Sequence, residues 1–150
     1  MNRQDAKTPS QKSSGQNLKT ARAEPDEKLD QLARAIIDAA LEVHRHLGPG
    51  YLESIYEEAL AVELALRDLP FVRQIPIPVQ YKGQPVGQGR LDFLVDNALV
   101  VELKAVEALL PVHKAQVISY LKATGHQLGL LMNFNVPMLG QGIQRIIYSK

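Results

Sequence analysis

Two charged residues interrupt the apolar run VVELKAV, residues 100–106, and this run limits the folds that the chain can adopt. A run this apolar is typical of a strand inside a sheet. Glu102 and Lys104 lie two positions apart, so in a strand their side chains share one face, while Val101 and Leu103 share the other. A buried charge costs on the order of several kcal/mol unless it is paired, hydrated or bound to a metal. The run therefore predicts a polar site on one face of a sheet.

The residues before this run predict two amphipathic helices. From Leu29 onward, apolar residues recur at spacings of three and four until Gly48 ends the pattern. In the second helix, Ser54 and Glu57 are expected to form a capping box at the start. The stripe that this helix is expected to bury consists of Ile55, Ala59, Val62 and Leu66.

The rest of the chain predicts five strands and one more helix. The run FVRQIPIPVQY, residues 71–81, alternates and holds two prolines, which indicates an edge strand. Two further strands are expected at 90–95 and 99–106, and a helix from Pro111 to a left-handed cap at Gly125. The run LGLLMNF after this helix is expected to pair in parallel with the strand before it, and IQRIIYS forms a last strand. This order of elements predicts an α/β domain.

The length of 150 residues suits a single domain. Residues 1–28 are polar, with Leu18 as almost the only large apolar residue, and predict a disordered tail before a domain at 29–150. The chain has no cysteine and no apolar segment like a secretory signal or a membrane span. We therefore expect a cytoplasmic protein with no membrane partner.

The charge balance argues against nucleic-acid binding by charge alone. The formal net charge is +1, and residues 29–150 hold eleven basic against twelve acidic residues. A protein that holds nucleic acid by its overall charge is more basic than this. A nucleic-acid partner would have to be bound at a local site.

The strand before the VVELKAV run supplies a second carboxylate. In RLDFLV, alternation predicts that Asp92 faces away from Leu91 and Phe93, and pairing of the two strands would place it beside Glu102. Two carboxylates suit Mg²⁺, and Lys104 beside them could orient or help deprotonate an attacking water. The set predicts phosphodiester hydrolysis. The alternative is a partly exposed cross-strand ion pair at a sheet edge.

The stretch GPGYLESIYEEAL contains Gly50, Glu53 and Tyr56 at the spacing GxxExxY. Together with the two charged strands, in the same order along the chain, it resembles the GxxExxY family of the PD-(D/E)xK nuclease-like superfamily. The resemblance extends from about Ile36 to Tyr148. Gly50 is expected to make a backbone turn that aims Glu53. Tyr56 is expected to pack in the core, with orientation of Glu53 as the alternative.

The resemblance implies a restriction-endonuclease-like core, with a mixed central sheet flanked by helices. It also implies that Asp92 and Glu102 are metal ligands, that Lys104 is the catalytic lysine, and that Glu53 is a helix-borne acid that completes both the ligands and the catalytic groups. The implied cofactor is Mg²⁺, with Mn²⁺ as a substitute, and the implied partner is nucleic acid.

A second polar pair lies on the helix after the lysine strand. Gln116 and Tyr120 are spaced i and i+4, so they share a helical face, and His113 lies near it. Exonuclease-like branches of the superfamily carry a similar Gln-x-x-x-Tyr helix that helps position the nucleic-acid strand. The alternative is a Tyr packed in the core and a Gln that caps a neighbour.

Other polar residues have simpler interpretations. His44 and His46 are expected at the surface near a helix end, where they favour the helix dipole. Glu57 and the other acids of the second helix are expected on a solvated face. Arg90 and Arg145 are candidate phosphate contacts.

These observations predict a metal-dependent nuclease. The rival is a binding or interaction module that keeps the fold and the charged pocket without turnover, and a third reading is a structural domain with an ion pair. The sequence leaves open DNA against RNA, endonuclease against exonuclease, and monomer against homodimer.

Overall fold

The computed structural model describes residues 26–149, which form three helices and five strands. The helices are α1 (Glu27–Leu47), α2 (Glu53–Leu66) and α3 (Pro111–Thr124). The strands are β1 (Phe71–Tyr81), β2 (Gln84–Val95), β3 (Leu99–Lys104), β4 (Leu128–Asn133) and β5 (Ile143–Ile147), with a 3₁₀ turn at Leu139–Gly142. The predicted tail lies outside the described residues except for its last three, where the Asp26 side chain caps α1.

The strands form one sheet in the order β1-β2-β3-β4-β5. β3 and β4 are parallel, as predicted for strands joined by a helix, and the other neighbours are antiparallel. β1 lies at an edge, as Pro76 and Pro78 predict, since proline has no N–H to donate to a second neighbour. The predicted α/β class, with a mixed central sheet flanked by helices, is confirmed.

Helices cover both faces of the sheet. α1 and α2 pack over an apolar cluster that includes Ile36 and Phe93, the α1/α2-side cluster. α3 packs over a smaller cluster that includes Leu91 and Val117, the α3-side cluster. All six residues of β4 (Leu128–Asn133) are buried, which explains why its first five residues carry no polar side chain.

The predicted buried stripe of α2 is wrong. Ile55, Val62 and Leu66 are exposed, and the residues that α2 buries are Tyr56, Leu60, Ala61 and Leu64. Apolar residues surround most of this helix, so their spacing fits more than one face, and contact with α1 and the sheet decides between them. The predicted capping box is also absent, because the helix begins at Glu53, with Leu52 at the N-cap and no side-chain cap bond.

Two strand boundaries differ from the prediction. β2 begins at Gln84 rather than at Arg90, since the hairpin with β1 continues beyond the core. β3 ends at Lys104 rather than at Val106. There the Asn133 side chain takes over the pairing, because its amide accepts the Val106 N–H at 3.0 Å and donates to the Val106 carbonyl at 2.9 Å.

The bounds of α3 confirm the prediction. Pro111 is its first residue, and Gly125 ends it in the left-handed conformation with φ 77°. At its start, the Leu110 N–H donates to Nδ1 of His113 at 2.9 Å, which gives His113 a structural contact. Among the described helices, none is both long enough and apolar enough to cross a membrane. The cytoplasmic location stays a prediction.

Candidate active site

β2 and β3 separate at the point where the acidic residues lie. Their backbone pairing covers only three residues of each strand and ends at Phe93 opposite Val101. Beyond this point β2 pairs only with β1, and β3 pairs only with β4. Asp92 and Glu102 are the next residues on the two diverging strands. They therefore occupy a fork between the strands, which we call the β2/β3 fork.

The direction of β2 changes at this fork. Alternation predicts that Leu91 and Phe93 share one face, but Leu91 lies in the α3-side cluster and Phe93 in the α1/α2-side cluster. On β1, Arg73 pairs with Phe93 and Ile75 pairs with Leu91. Gln74, between them, has φ 55°. The shared-face prediction is therefore wrong, because both strands twist sharply where Asp92 enters the fork.

The two carboxylates hold the fork by hydrogen bonds to the backbone. The Asp92 N–H donates to Oε1 of Glu102 at 2.8 Å, and the Leu103 N–H donates to Oδ2 of Asp92 at 2.9 Å. These side-chain bonds replace the backbone ladder that ends one residue earlier. The structure thus brings Asp92 and Glu102 together, as strand pairing predicts.

Both carboxyl groups are buried and resist ionisation. Burial and the neighbouring Asp92 charge raise the pKa of Glu102 to about 8. Burial, with the charges of Glu53 and Glu57, raises the pKa of Asp92 to about 6, although the Leu103 N–H acts in the opposite direction. Two acids in this state are stabilised by a cation placed between them.

The unused oxygens of the pair fit such a cation. Oδ1 of Asp92 and Oε2 of Glu102 accept no hydrogen bond from the described residues. Mg²⁺ is usually held by one or two carboxylates, together with waters and phosphate oxygens. Within residues 26–149, no three His, Asp or Glu side chains gather closely enough to hold a metal by themselves. Asp92 and Glu102 as metal ligands, with Glu53 as a third, therefore stay predictions.

Lys104 lies beside the pair and forms an ion pair with Glu102 that contains no hydrogen bond. Its Nζ is 3.9 Å from Oε2 of Glu102, which is too long for a hydrogen bond. Nζ instead donates to Oε1 of Gln116 at 3.0 Å. Gln116 therefore sets the position of the lysine, and its predicted role in positioning nucleic acid stays a prediction.

Tyr120 supports the fork from the α3 side. Its hydroxyl donates to the Arg90 carbonyl at 3.1 Å and accepts the Arg90 N–H at 3.2 Å. Burial raises the pKa of this phenol above its usual value. A Cβ at Gly89 would lie 3.0 Å from the Tyr120 ring, so glycine allows the close approach. The structure gives Tyr120 a role in holding β2, and its contact with nucleic acid stays a prediction.

The GxxExxY motif positions Glu53 at the start of α2. Gly50 has φ 109°, a conformation that favours glycine. The buried Tyr56 hydroxyl donates to the Gly48 carbonyl at 2.6 Å and accepts the Tyr51 N–H at 3.2 Å, so it fixes both sides of this turn. Tyr56 is thus a core residue, as predicted, and also an anchor for the loop before Glu53.

Glu53 lies within electrostatic reach of the fork. Burial raises the pKa of Glu53, while the positive charge of Lys104 acts to lower it. Glu53 in turn raises the pKa of Asp92 and of Glu102. The helix-borne acid predicted from the motif therefore interacts electrostatically with the two strand carboxylates, and its place in the site stays a prediction.

Two predicted surface groups have structural partners instead. His44 is buried, and its Nε2 lies 2.9 Å from the Val136 carbonyl, so its prediction as a surface residue is wrong. Glu57 is not simply solvated, because it accepts hydrogen bonds from Arg73 and from Gln74 of β1. α2 and β1 are thus joined by polar contacts that helix periodicity does not reveal.

The two candidate phosphate contacts differ in their surroundings. Arg145 forms an ion pair with Asp30 of α1, which occupies its guanidinium. Arg90 is exposed and forms no ion pair with the described residues. Sequence reasoning also missed Asn133, a buried amide that pins the end of β3. Its only sequence signal is a polar residue at the end of an apolar strand.

Comparison with known proteins gives one match. A family model described as PD-(D/E)XK nuclease superfamily matches residues 30–146, a range that includes the fork, Lys104, Gln116 and Glu53. No curated protein and no solved structure matches the chain significantly.

Proposed function

This chain belongs to the PD-(D/E)XK nuclease superfamily, and on that premise we propose that it is a divalent-metal-dependent nuclease of the GxxExxY type. Its α/β fold is consistent with the restriction-endonuclease-like core of that superfamily. The reaction proposed is hydrolysis of phosphodiester bonds in nucleic acid. The assignment to the GxxExxY family rests on Gly50, Glu53 and Tyr56 and on the contacts described above.

The β2/β3 fork carries this proposal. Lys104 forms an ion pair with Glu102, but its hydrogen bond goes to Gln116, whereas a lysine with only a structural role would be expected to bond the carboxylate directly. β3 is a central strand and Glu102 is buried, unlike an exposed pair at a sheet edge. Two buried acids whose pKa values stay raised despite the Lys104 charge beside them destabilise a fold. A functional requirement for a cation explains why the chain keeps them.

Asp92 and Glu102 would hold the metal, since each offers one oxygen without a hydrogen bond from the described residues. Mg²⁺ or Mn²⁺ bound there would supply Lewis-acid polarisation of the phosphoryl group and offset negative charge in the transition state. Glu53 is proposed as a further acid of this site, acting on it from the start of α2.

Side chains and backbone groups of the chain itself would supply the other contributions to catalysis. Lys104 can donate a hydrogen bond to a phosphate oxygen or to the attacking water, and its charge offsets the charge that develops on phosphate. Gln116 keeps the ammonium group in the site and away from a direct bond with Glu102. The hydrogen bonds from the backbone fix the two carboxylates, so they need little reorganisation during the reaction.

The small net charge favours the rival function, a binding module without turnover. The same fold and pocket would then hold nucleic acid or another partner without cleaving it. Cleavage is the property that separates the two functions.

The test is incubation of the purified protein with single- and double-stranded DNA and RNA, with Mg²⁺, with Mn²⁺ or with chelator. We expect cleavage only with metal, and a loss of at least about 100-fold for Lys104→Ala and Glu102→Gln, as for removal of a group that stabilises transition-state charge. Lys28→Ala is the matched control, because this exposed lysine also follows an acidic residue at the same spacing but lies at the start of α1.

Cleavage that survives both the chelator and Lys104→Ala would exclude the proposed mechanism. Metal binding by calorimetry with no cleavage of any substrate would favour the binding module. An absence of metal binding at millimolar concentration, with and without oligonucleotide, would favour a purely structural role for the fork.

A further inference from the structure

The hairpin of β1 and β2 extends beyond the body of the domain. Residues 78–88 are all exposed, and we call this segment the hairpin arm. It turns at Lys82 and Gly83, whose φ values of 50° and 80° suit a two-residue hairpin turn. At about 3.3 Å per residue, the arm reaches roughly 20 Å beyond Pro76. A two-stranded ribbon with no core on either side is marginally stable alone, so a bound partner would stabilise it.

The base of the arm lies at the fork. β2 runs from the arm into the fork, which it enters at Asp92. Two residues before Asp92, on the side of the arm, the Tyr120 hydroxyl bonds both the N–H and the carbonyl of Arg90. Tyr120 lies one helical turn beyond Gln116, the partner of Lys104. The direction of the arm is therefore fixed relative to the proposed catalytic groups, and a substrate bound in the fork lies beside the arm.

Charge is distributed unevenly between the two parts of the domain. Residues 29–68, which hold most of α1 and all of α2, contain eight acidic and three basic residues. Residues 69–149 contain four acidic and seven basic residues, and two of those four acids are Asp92 and Glu102. The small net charge thus conceals a basic part that includes the hairpin, and this removes the main objection to a nucleic-acid partner.

The hairpin itself contains no acidic residue from 69 to 91. Lys82 at the tip and Arg90 at the base form no ion pair with the described residues. Three glutamines, Gln80, Gln84 and Gln88, are exposed on the arm between them. Cationic groups at both ends suit phosphates, and amide side chains can pair with base edges.

We propose that the hairpin arm enters the major groove of double-stranded DNA beside the fork. Lys82 and Arg90 contact phosphates. Gln80 and Gln88, which the pairing register places on one face of the ribbon, face base edges, while Gln84 lies on the other face. The major groove of B-form DNA is about 12 Å wide and admits a two-stranded ribbon, whereas that of A-form RNA is too narrow. The inference deepens the proposed function, since it rests on nucleic acid being the substrate of the fork and names duplex DNA as the form bound.

Binding is measured by fluorescence anisotropy, with a fluorescein-labelled mixed-sequence DNA duplex two helical turns long. Glu102→Gln serves as the background, because it prevents cleavage and keeps an oxygen that can accept the Asp92 N–H. In this background we expect Lys82→Ala/Arg90→Ala to weaken duplex binding by at least about tenfold and to reduce the salt slope by about 1 per side chain. The matched control is Arg34→Ala/Arg45→Ala, which removes two charges from α1 and should change affinity less than about twofold.

Any one of four results would overturn the proposal. The first two are an unchanged affinity of the Lys82/Arg90 variant and an equal loss in the α1 control. The other two are binding of an RNA duplex of the same sequence as tightly as the DNA, and a failure to bind the DNA duplex at all. Circular dichroism checks that each variant is folded.

The outcome is separable from that of the proposed function. If the wild-type protein cleaves substrate but the Lys82/Arg90 variant binds the duplex normally, the proposed role of the hairpin arm is rejected and the proposed nuclease activity is retained. Duplex binding that depends on the arm, in a wild-type protein that cleaves no substrate, would support the arm and reject the nuclease.

Discussion

The carboxylate of Glu102 accepts the backbone N–H of Asp92 at 2.8 Å, where a regular sheet would offer a carbonyl from the neighbouring strand. The Asp92 carboxylate in turn accepts the Leu103 N–H. Each acid is therefore both a candidate ligand and part of the connection between β2 and β3. The roles in structure and function are separable by substitutions that keep an acceptor oxygen but remove the charge.

Asp92→Asn is expected to raise the stability of the metal-free protein at neutral pH and to abolish cleavage. The amide oxygen can still accept the Leu103 N–H, while the repulsion with Glu102 is lost. Urea denaturation with chelator should show a higher midpoint than wild type. Asp92→Ala is the contrast, because it leaves the buried N–H without an acceptor, at a cost of about 1–3 kcal/mol. A lower midpoint for Asp92→Asn than for Asp92→Ala would contradict this account.

The stability of the metal-free protein should fall as pH rises. The folded pKa values of Asp92 and Glu102 lie above the usual 3.8 and 4.5, at about 6 and about 8. The folded state thus binds these protons more tightly than the unfolded chain does. The stabilisation that these two protons contribute is complete below the usual pKa values, and it is lost as pH rises through the folded pKa values.

The measurement is the free energy of unfolding with chelator across this pH range, relative to Asp92→Asn/Glu102→Gln. The difference in the free energy of unfolding between wild type and the double variant should change by at most about 1.4 kcal/mol per pH unit for each proton involved. At high pH, saturating Mg²⁺ should raise the free energy of unfolding of the wild type again. It should leave the free energy of unfolding of the double variant unchanged. A difference that is independent of pH would show that the pair ionises normally.

Gln116→Leu is expected to lower kcat more than it raises KM. The variant removes the only hydrogen bond that the described residues offer to Nζ of Lys104, so the ammonium group is free to move towards Glu102. A loss of about tenfold or more in kcat is expected, since misplacing a catalytic group is costly. Ser119→Ala, an exposed position on the same helix, is the control. A rise in KM alone would instead indicate that Gln116 binds substrate directly.

The sequence predicts the sheet and the acidic pair because their patterns are local. The short turn at Asp96 sets the register of β2 and β3, and this register brings Asp92 beside Glu102 even though alternation along β2 fails at that point. The parallel pairing of β3 and β4 follows from the helix between them.

Other features depend on contacts between distant parts of the chain. The face that α2 buries is decided by α1 and the sheet, since its apolar residues fit more than one stripe. His44 looks like a surface residue until the loop carrying Val136 supplies its partner. The twist of β2 at Asp92 arises where backbone pairing gives way to side-chain bonds, which no local pattern records.

Tyr56→Phe tests how the GxxExxY turn acts on the site. The substitution keeps the ring, which stacks on Phe134 with centroids 4.7 Å apart, and removes only the hydroxyl that joins Gly48 to Tyr51. Loss of two partly buried hydrogen bonds is expected to cost about 1–3 kcal/mol in the free energy of unfolding.

A purely structural role for Tyr56 predicts no more than this loss of stability. If the turn aims Glu53, kcat of the folded variant should also fall, by about tenfold, because a small misplacement of a charged group is enough. Tyr51→Phe is the matched control, since it removes the hydroxyl of an exposed tyrosine in the same loop and leaves the Tyr51 N–H in place. Because Tyr56→Phe is expected to be less stable than wild type, activity should be measured well below the melting temperature of each variant. Full kcat in a destabilised Tyr56→Phe protein would mean that the turn supports the fold alone, and that Glu53 acts without its guidance.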